Sequence, residues 1–212
     1  AISVPPSFAS RWLAPRMARF AALHPDIEVW VSADMQLADV VGGRADVAVR
    51  YGRGDYVGVR TEPLVEAGVI PVCNPDLLAG PYPLRSPRDL KRHVLIHVAH
   101  GLIEEPRPDW AAWLRSRGLT DIDTSAGPRF DQTALAIEGA IHGRGIALAP
   151  RAFVAADLAS GRLAAPFADG YLATDMAYRM VTRRGSVRPE TRAFMDWLRD
   201  EAHRDLQVVD EL

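Results

Sequence analysis

The sequence contains one cysteine, no long apolar run and no excess of positive charge. The single thiol, Cys73, excludes an internal disulfide and is weakly typical of a reducing compartment. No stretch approaches the roughly 20 apolar residues that a membrane-spanning helix needs, and no signal peptide is evident. A formal net charge of −2 gives no basic footprint for nucleic acid.

The composition is that of a globular protein. The chain has 212 residues, of which 48% are hydrophobic and 25% are charged, so it can bury a core without metal or disulfide support. Its length fits one unit or two lobes of roughly 100 residues each. Because Ala1 already lies within an apolar strand pattern, we expect a domain cut from a longer protein.

The first 25 residues set the plan of the chain. Ala1–Val4 is a short apolar strand, and after Pro5-Pro6 the side chain of Ser7 is predicted to cap the following turn. Pro15 is expected in the first turn of a helix that ends near His24. A strand that feeds a helix through a polar turn places free N–H groups at the carboxyl edge of a sheet, where ligands of open α/β folds bind.

The first half continues as strand, helix and strand. Ile27–Val31 alternates as a strand that runs out at Ser32–Asp34, Leu37–Val41 is predicted as a short helix, and Asp46–Arg50 as the next strand. Strands this short in a β-α-β-α-β order indicate central, parallel pairing, with their turns at one edge. Frequent prolines after Pro71 mark a change of organisation, and a lobe crossing is predicted near Pro71–Asn74.

The second half repeats the strand, polar loop and capped helix. His93–His97 and Ile146–Ala149 are predicted strands. Asp131-Gln132-Thr133 is predicted to cap the helix 134–142, and the tryptophans of the helix 109–117 to lie in the core of this lobe. No internal sequence repeat accompanies the repeated plan.

Several stretches together resemble a known family. They are VPPSFASRWLAPRMARFAALHPDIEV, DVAVRYGRGD, PVCNPDLL, FDQTALAIEGAIHGRGIALAP and RAFMDWLRDEA. In this order and spacing they are similar to the effector-binding domain of LysR-type bacterial transcription regulators, and more narrowly to glycine-cleavage activators and β-lactamase regulators. The resemblance implies a type 2 periplasmic-binding-protein-like α/β fold, with two Rossmann-like lobes joined by two crossover strands, the second near Asp175–Tyr178.

The resemblance also implies a division of the chain. Lobe one is expected to comprise residues 1–70 and 178–212, and lobe two residues 71–177. Family members carry an amino-terminal winged helix-turn-helix that this chain lacks, so DNA contact is expected only through that domain. They pair side by side as homodimers or tetramers, for which the Arg16–Leu23 helix is the natural interface.

The same resemblance implies which residues line a cleft between the lobes. The expected ligand-binding residues are Ser7, Phe8, Ser32, Ala33, Asp34, Arg50, Tyr51, His97, Val98, Asp131, Gln132, Thr133 and Tyr178. Helix starts at Ser7 and Thr133, with Arg50 as a carboxylate partner, favour a small anionic or zwitterionic effector. The plainer alternatives stay open: Ser7 and Thr133 as caps only, Arg50 as a structural ion-pair partner, and Tyr178 as core.

The leading function is therefore a ligand-sensing domain of a cytoplasmic regulator, with no cofactor, no metal and no membrane contact. His97 and His100 without a third nearby ligand make a weak metal site. The runner-up is an exported solute-binding protein with the same fold. An enzyme is the third alternative, and no nucleophile and base are spaced to support one.

Overall fold

The computed structural model describes residues 1–34, 40, 42–99 and 107–209. The chain divides into two compact units, one formed by Ala1–Ala67 and Asp175–Leu212, the other by Gly68–Thr174. The chain passes from one unit to the other after Ala67 and after Thr174. The Pro71–Asn74 stretch lies inside the second unit, because the strand that contains Pro71 pairs within that unit's sheet.

Strands alternate with helices along the chain. The strands are β1 (Ile2–Val4), β2 (Val31–Ala33), β3 (Val47–Gly52), β4 (Val59–Glu66), β5 (Val69–Val72), β6 (Leu95–Val98), β7 (Arg129–Phe130), β8 (Ile146–Pro150) and β9 (Ala177–Arg183). The α-helices are α1 (Pro6–Phe8), α2 (Met17–Leu23), α3 (Asp76–Ala79), α4 (Trp110–Arg115), α5 (Thr133–Ile141), α6 (Arg151–Ala159) and α7 (Pro189–Val209). A π-helical turn (Ala9–Leu13) and a 3₁₀ turn (Ala14–Arg16) join α1 to α2, and a second 3₁₀ helix spans Pro87–Arg92.

The first unit contains a five-stranded sheet in the order β2-β1-β3-β9-β4. β1 pairs in parallel with both β2 and β3, as the sequence predicts, whereas β9 runs antiparallel to β3 and β4. All six residues of β3 are buried, which fits a central strand.

The predicted strand Ile27–Val31 is wrong in its extent. β2 begins only at Val31, because its sole partner in the sheet, β1, is three residues long and pairs in the register Ile2 to Val31. Alternation of apolar residues continues upstream of the pairing, where Trp30 is 73% exposed. The helix predicted at Leu37–Val41 falls largely outside the described residues.

The second unit contains a four-stranded sheet in the order β5-β8-β6-β7. β6 is parallel to β7 and β8, and β5 is antiparallel to β8. As predicted, Trp110 and Trp113 are buried core residues here, and so is Cys73. Asp109 caps α4 by accepting a 2.7 Å hydrogen bond from the backbone N–H of Ala112.

Candidate functional site

Three strand ends meet at one edge of the sheet in the first unit. Because β1, β2 and β3 are parallel, their carboxyl ends, with the residues that follow them, share that edge. The backbone N–H of Asp34 donates a 2.8 Å hydrogen bond to the carbonyl oxygen of Val4, which ties the two ends together. The predicted residues of this unit that the structure gathers at or directly beside the edge are Ser7, Phe8, Ser32, Ala33, Asp34, Arg50, Tyr51 and Tyr178.

Aromatic rings pack together beneath this edge. Tyr51 and Tyr178 are cross-strand partners with ring centroids 5.5 Å apart, and Phe8 lies 5.3 Å from Tyr178. All three side chains are buried, with Phe8 fully so. The plainer interpretation of Tyr178 as a core residue therefore describes its packing.

The prediction that Ser7 caps a helix is wrong. α1 begins at Pro6, its N-cap is Pro5, and no side chain caps it. Proline is favoured at the first helical position because its missing N–H has no helical acceptor, so the prolines start the helix and Ser7 lies inside it, buried. Thr133 likewise does not cap, since it is the first residue of α5 and the N-cap is Gln132.

Arg50 is a buried cation, 5% exposed, fixed to β1. One terminal nitrogen donates to the carbonyl oxygens of Ser3 and Val49, at 2.9 and 2.7 Å, and the other donates to Ser3 Oγ at 2.7 Å. Burial lowers the pKa of the guanidinium, and the charge of Asp34 opposes that shift. These three acceptors are neutral, and the contact of Arg50 with an effector carboxylate stays a prediction.

The second unit has a corresponding edge. β6 and β7 are parallel, with His97 opposite Arg129 and Val98 opposite Phe130, and Asp131, Gln132 and Thr133 follow directly. The backbone N–H of Ala99 donates to the carbonyl oxygen of Phe130 at 2.7 Å. The structure therefore brings the predicted residues of this unit together, next to the start of α5.

His97 and Gly127 close this second edge tightly. His97 Nε2 donates to the carbonyl oxygen of Ala126 at 2.9 Å, because a carbonyl can only accept. Gly127 has a φ of +122° and lies against the Leu95 carbonyl oxygen, where a Cβ atom would overlap it. His97 thus has a structural partner, and within the described ranges no group of three His, Cys, Asp or Glu side chains could hold a metal ion.

A small pocket lies at the opposite end of the first unit. Its volume is about 70 Å³, and its lining includes Ile2, Val47, Asp46, Arg188 and Phe194. Ile2 and Val47 stand at the amino ends of β1 and β3, so this pocket is not the predicted site. Separately, none of the described helices is long and apolar enough to cross a membrane.

The sequence analysis missed three charged residues near the first edge. Arg53 and Asp175 form an ion pair of 2.9 Å, and Arg179 lies on β9 directly opposite Arg50. The signal for Arg179 was present, because it alternates with the buried Tyr178 and Met180 and so points to the other face of the sheet. Its partner strand could not be known from that pattern.

Two α/β units with polar residues gathered at strand ends define the class of small-molecule-binding domains with a type 2 periplasmic-binding-protein-like fold. The LysR substrate binding domain model matches residues 1–203, so the chain belongs to that family. The glycine cleavage system transcriptional activator of Escherichia coli K12 is 36% identical over 197 residues, which are 93% of this chain and 63% of that protein. An AmpR transcriptional activator of Rhodobacter capsulatus is 31% identical over 78% of this chain and 54% of its own length.

Solved structures agree with this assignment. The effector domain of the regulator AmpR of Pseudomonas aeruginosa is 29% identical, with a TM-score of 0.77 over 97% of this chain and 96% of its own. The AmpR effector binding domain of Citrobacter freundii is 25% identical, with a TM-score of 0.78 over 96% and 97% of the two chains. The predicted family, subgroup and fold class are confirmed.

These relatives are transcriptional regulators, which favours the sensor over the transport protein and the enzyme. LysR regulators bind small-molecule effectors and act as oligomers that contact DNA through an amino-terminal domain. This chain spans less than two thirds of the length of the curated relatives named above.

Proposed function

We propose that this chain is the effector-sensing domain of a cytoplasmic, DNA-binding transcription regulator, in which ligand binding shifts the geometry of a dimer or tetramer. The observation that carries the proposal is the family match over residues 1–203, together with its regulator relatives. A ligand can shift such an equilibrium only if it binds one arrangement better than the other. DNA binding belongs to the amino-terminal domain of the longer protein.

The proposed effector is a small carboxylate or zwitterion, recognised by polar groups at the strand edges described above. In the first unit, the buried Arg50 and the Ser7 hydroxyl support this chemistry, because a fixed cation and a hydroxyl suit an anionic group. In the second unit, Thr133 starts α5, whose N-terminal dipole also favours negative charge. Asp34 supplies the carboxylate that the ammonium of a zwitterion needs.

A binding screen tests this proposal. The isolated domain is examined by thermal shift and calorimetry against amino acids and small carboxylic acids. Ligand at 100 times its dissociation constant is expected to stabilise the fold by about 2.7 kcal/mol. Ser7→Ala removes the hydroxyl and should weaken binding, whereas Ser10→Ala is a matched control because Ser10 Oγ donates to the Pro6 carbonyl within the helix. Binding of neutral apolar compounds alone would contradict the proposed effector class.

For the homodimer we propose an interface made by the outer face of α2 and by the β2 strand. β2 is at the edge of its sheet, and all three of its residues are exposed. Trp30, which directly precedes β2, is 73% exposed, and Leu23, the last residue of α2, is 63% exposed. The inner face of the helix is occupied, because Phe20 is buried and Arg19 pairs with Glu201 of α7. An exposed strand edge flanked by large apolar side chains favours pairing with another chain.

Trp30→Glu tests this interface. A negative charge placed there should shift the domain from dimer to monomer in sedimentation velocity, without lowering its melting temperature, because Trp30 is mostly exposed within one chain. Val57→Glu is the control, since Val57 is 98% exposed at another place. An unchanged sedimentation coefficient in Trp30→Glu would place the interface elsewhere.

A further inference from the structure

Two arginines lie side by side on one face of the first unit's sheet. Arg50 of β3 and Arg179 of β9 are direct partners in the antiparallel ladder, so both side chains project from the same face. β1 pairs with β3 in the register Ser3 to Ala48, and continuing that register brings Arg50 level with Pro5, just beyond the end of β1. The arginine pair therefore stands at the carboxyl edge proposed to bind the effector.

Not every arginine at this edge has a hydrogen-bond or ion-pair partner among the residues that the structure describes. Arg53 is paired with Asp175, and the carboxylate of Asp34 acts on Arg50. Arg179 has no hydrogen bond or ion pair with a described residue, and its Nε atom is buried. Like charges directly opposite each other on neighbouring strands repel, so an anion that binds to the two arginines would relieve that repulsion.

The position of Arg179 is fixed by the backbone beside it. Gly54 has a φ of +92°, and a Cβ atom there would overlap the Nε, Cδ and Cζ atoms of Arg179. The guanidinium thus lies against a glycine in the loop that follows β3, and the loop is held by a 3.0 Å hydrogen bond from Thr61 Oγ1 to the Gly54 carbonyl oxygen. A side chain held in place in this way loses little freedom when it binds an anion.

We propose that Arg179 binds an anionic group of the effector, and that Arg50 adds its charge from the neighbouring strand. We therefore expect the effector to be a dicarboxylate, a compound with one carboxylate more than simple acids and amino acids share. This inference rests on the proposed function, because it places the Arg179 contact in the same ligand. The planar, bidentate geometry of guanidinium suits a carboxylate particularly well.

The test compares paired probes on the isolated domain and uses two readouts. Acetate and glycine carry one carboxylate, and succinate and glutarate carry two. Calorimetry gives their affinities, and the arginine Nε–Hε resonances of ¹⁵N-labelled protein report which guanidinium responds. The dicarboxylates are expected to bind about tenfold or more tightly than the monocarboxylates, and to move the Arg179 resonance.

Arg179→Met should abolish the dicarboxylate advantage and leave monocarboxylate binding unchanged, and Arg179→Lys should restore part of it. Arg184→Met is the matched control, because Arg184 follows the far end of β9 and donates to the Val59 carbonyl oxygen. Since the resonances are recorded on the unsubstituted domain, an Arg179 signal unmoved by every probe overturns the inference even if a variant does not fold. If monocarboxylates still bind while the Arg179 signal does not move, the proposed function stands. If no probe binds the unsubstituted domain, the result counts against both this inference and the proposed function.

Discussion

The helices of the two units are held in place by different kinds of hydrogen bond. In the first, Trp12 Nε1 and Arg16 both bond to Asp205 of α7 at 2.5 Å, and Arg19 pairs with the buried Glu201. In the second, Trp110 Nε1 donates to the Ile96 carbonyl at 3.0 Å. Trp113 Nε1 likewise donates to the Gly170 carbonyl, at 2.7 Å. The helix contacts named for the first unit therefore involve charged groups, whereas the tryptophan contacts of the second are neutral hydrogen bonds. The second unit also has an ion pair, between Arg162 and the buried Asp157.

The strand edges differ in the same sense. The first edge carries Arg50, Arg53 and Arg179 with Asp34 and Asp175, whereas the second carries Arg129 and Asp131 and is closed by His97 and Gly127 against backbone carbonyls. We expect recognition of negative charge to reside mainly in the first unit, where the arginines are more numerous.

The largest expected effect on stability is that of removing an aromatic ring from the core of the second unit. Trp113 is fully buried among Trp110, Phe167 and Leu114, so Trp113→Ala should cost about 4 kcal/mol of unfolding free energy. Urea unfolding followed by circular dichroism measures this change. A cost below about 1 kcal/mol would mean that this unit does not depend on packing in the way described.

Next in size is a substitution at the second edge. Gly127→Ala imposes both an unfavourable φ and an overlap with the Leu95 carbonyl, and should cost about 3 kcal/mol. Gly118→Ala is the control, because Gly118 also has a positive φ, +67°, but nothing lies within 4 Å of its added Cβ, so about 1 kcal/mol is expected. Equal urea midpoints for the two variants would show that the close approach at Gly127 contributes nothing.

Glu201 tests the charged packing of the first unit. Burial alone would raise the pKa of its carboxyl, but the hydrogen bond and charge of Arg19, with the charges of Arg204 and Arg16, outweigh burial and lower the pKa. The stabilisation is therefore complete above the ordinary pKa of 4.5 and is lost as the pH falls through the lowered value. Glu201→Gln should cost about 2 kcal/mol at neutral pH, because the arginines lose their partner.

The check is the urea midpoint measured across the acid range. Glu201→Gln should reduce the loss of stability on acidification, while Glu190→Gln, at an exposed position on the same helix, should leave it unchanged. If the urea midpoint of Glu201→Gln falls with pH as steeply as that of the unsubstituted domain, the Glu201 carboxylate does not contribute to acid sensitivity.

The smallest effect is expected at Trp197. Its Nε1 is buried and has no hydrogen-bond partner among the described residues, unlike that of Trp113. Trp197→Phe therefore loses no hydrogen bond, whereas Trp113→Phe also leaves the Gly170 carbonyl without its donor and should cost about 1–3 kcal/mol more. Differential scanning calorimetry ranks the two variants, and the reverse order would contradict the hydrogen-bond argument.

The sequence by itself determined the family, the alternation of strands and helices, the parallel β1, β2 and β3, and the tryptophan core of the second unit. These follow from local periodicity and from motifs whose order is preserved, neither of which requires knowledge of distant partners. Where the sequence placed Ser7 and Thr133 at helix starts, it was right about the location and wrong about capping. The helix boundary depends on which residue first adopts helical backbone angles, and prolines decide that for α1.

Only the tertiary structure decided that Arg179 stands opposite Arg50 and lies over Gly54. That placement requires the register of β9 against β3, two strands that lie far apart in the chain and are joined by hydrogen bonds that carry no local sequence signal. The extent of β2 was settled in the same way, since a strand is only as long as the partner it pairs with.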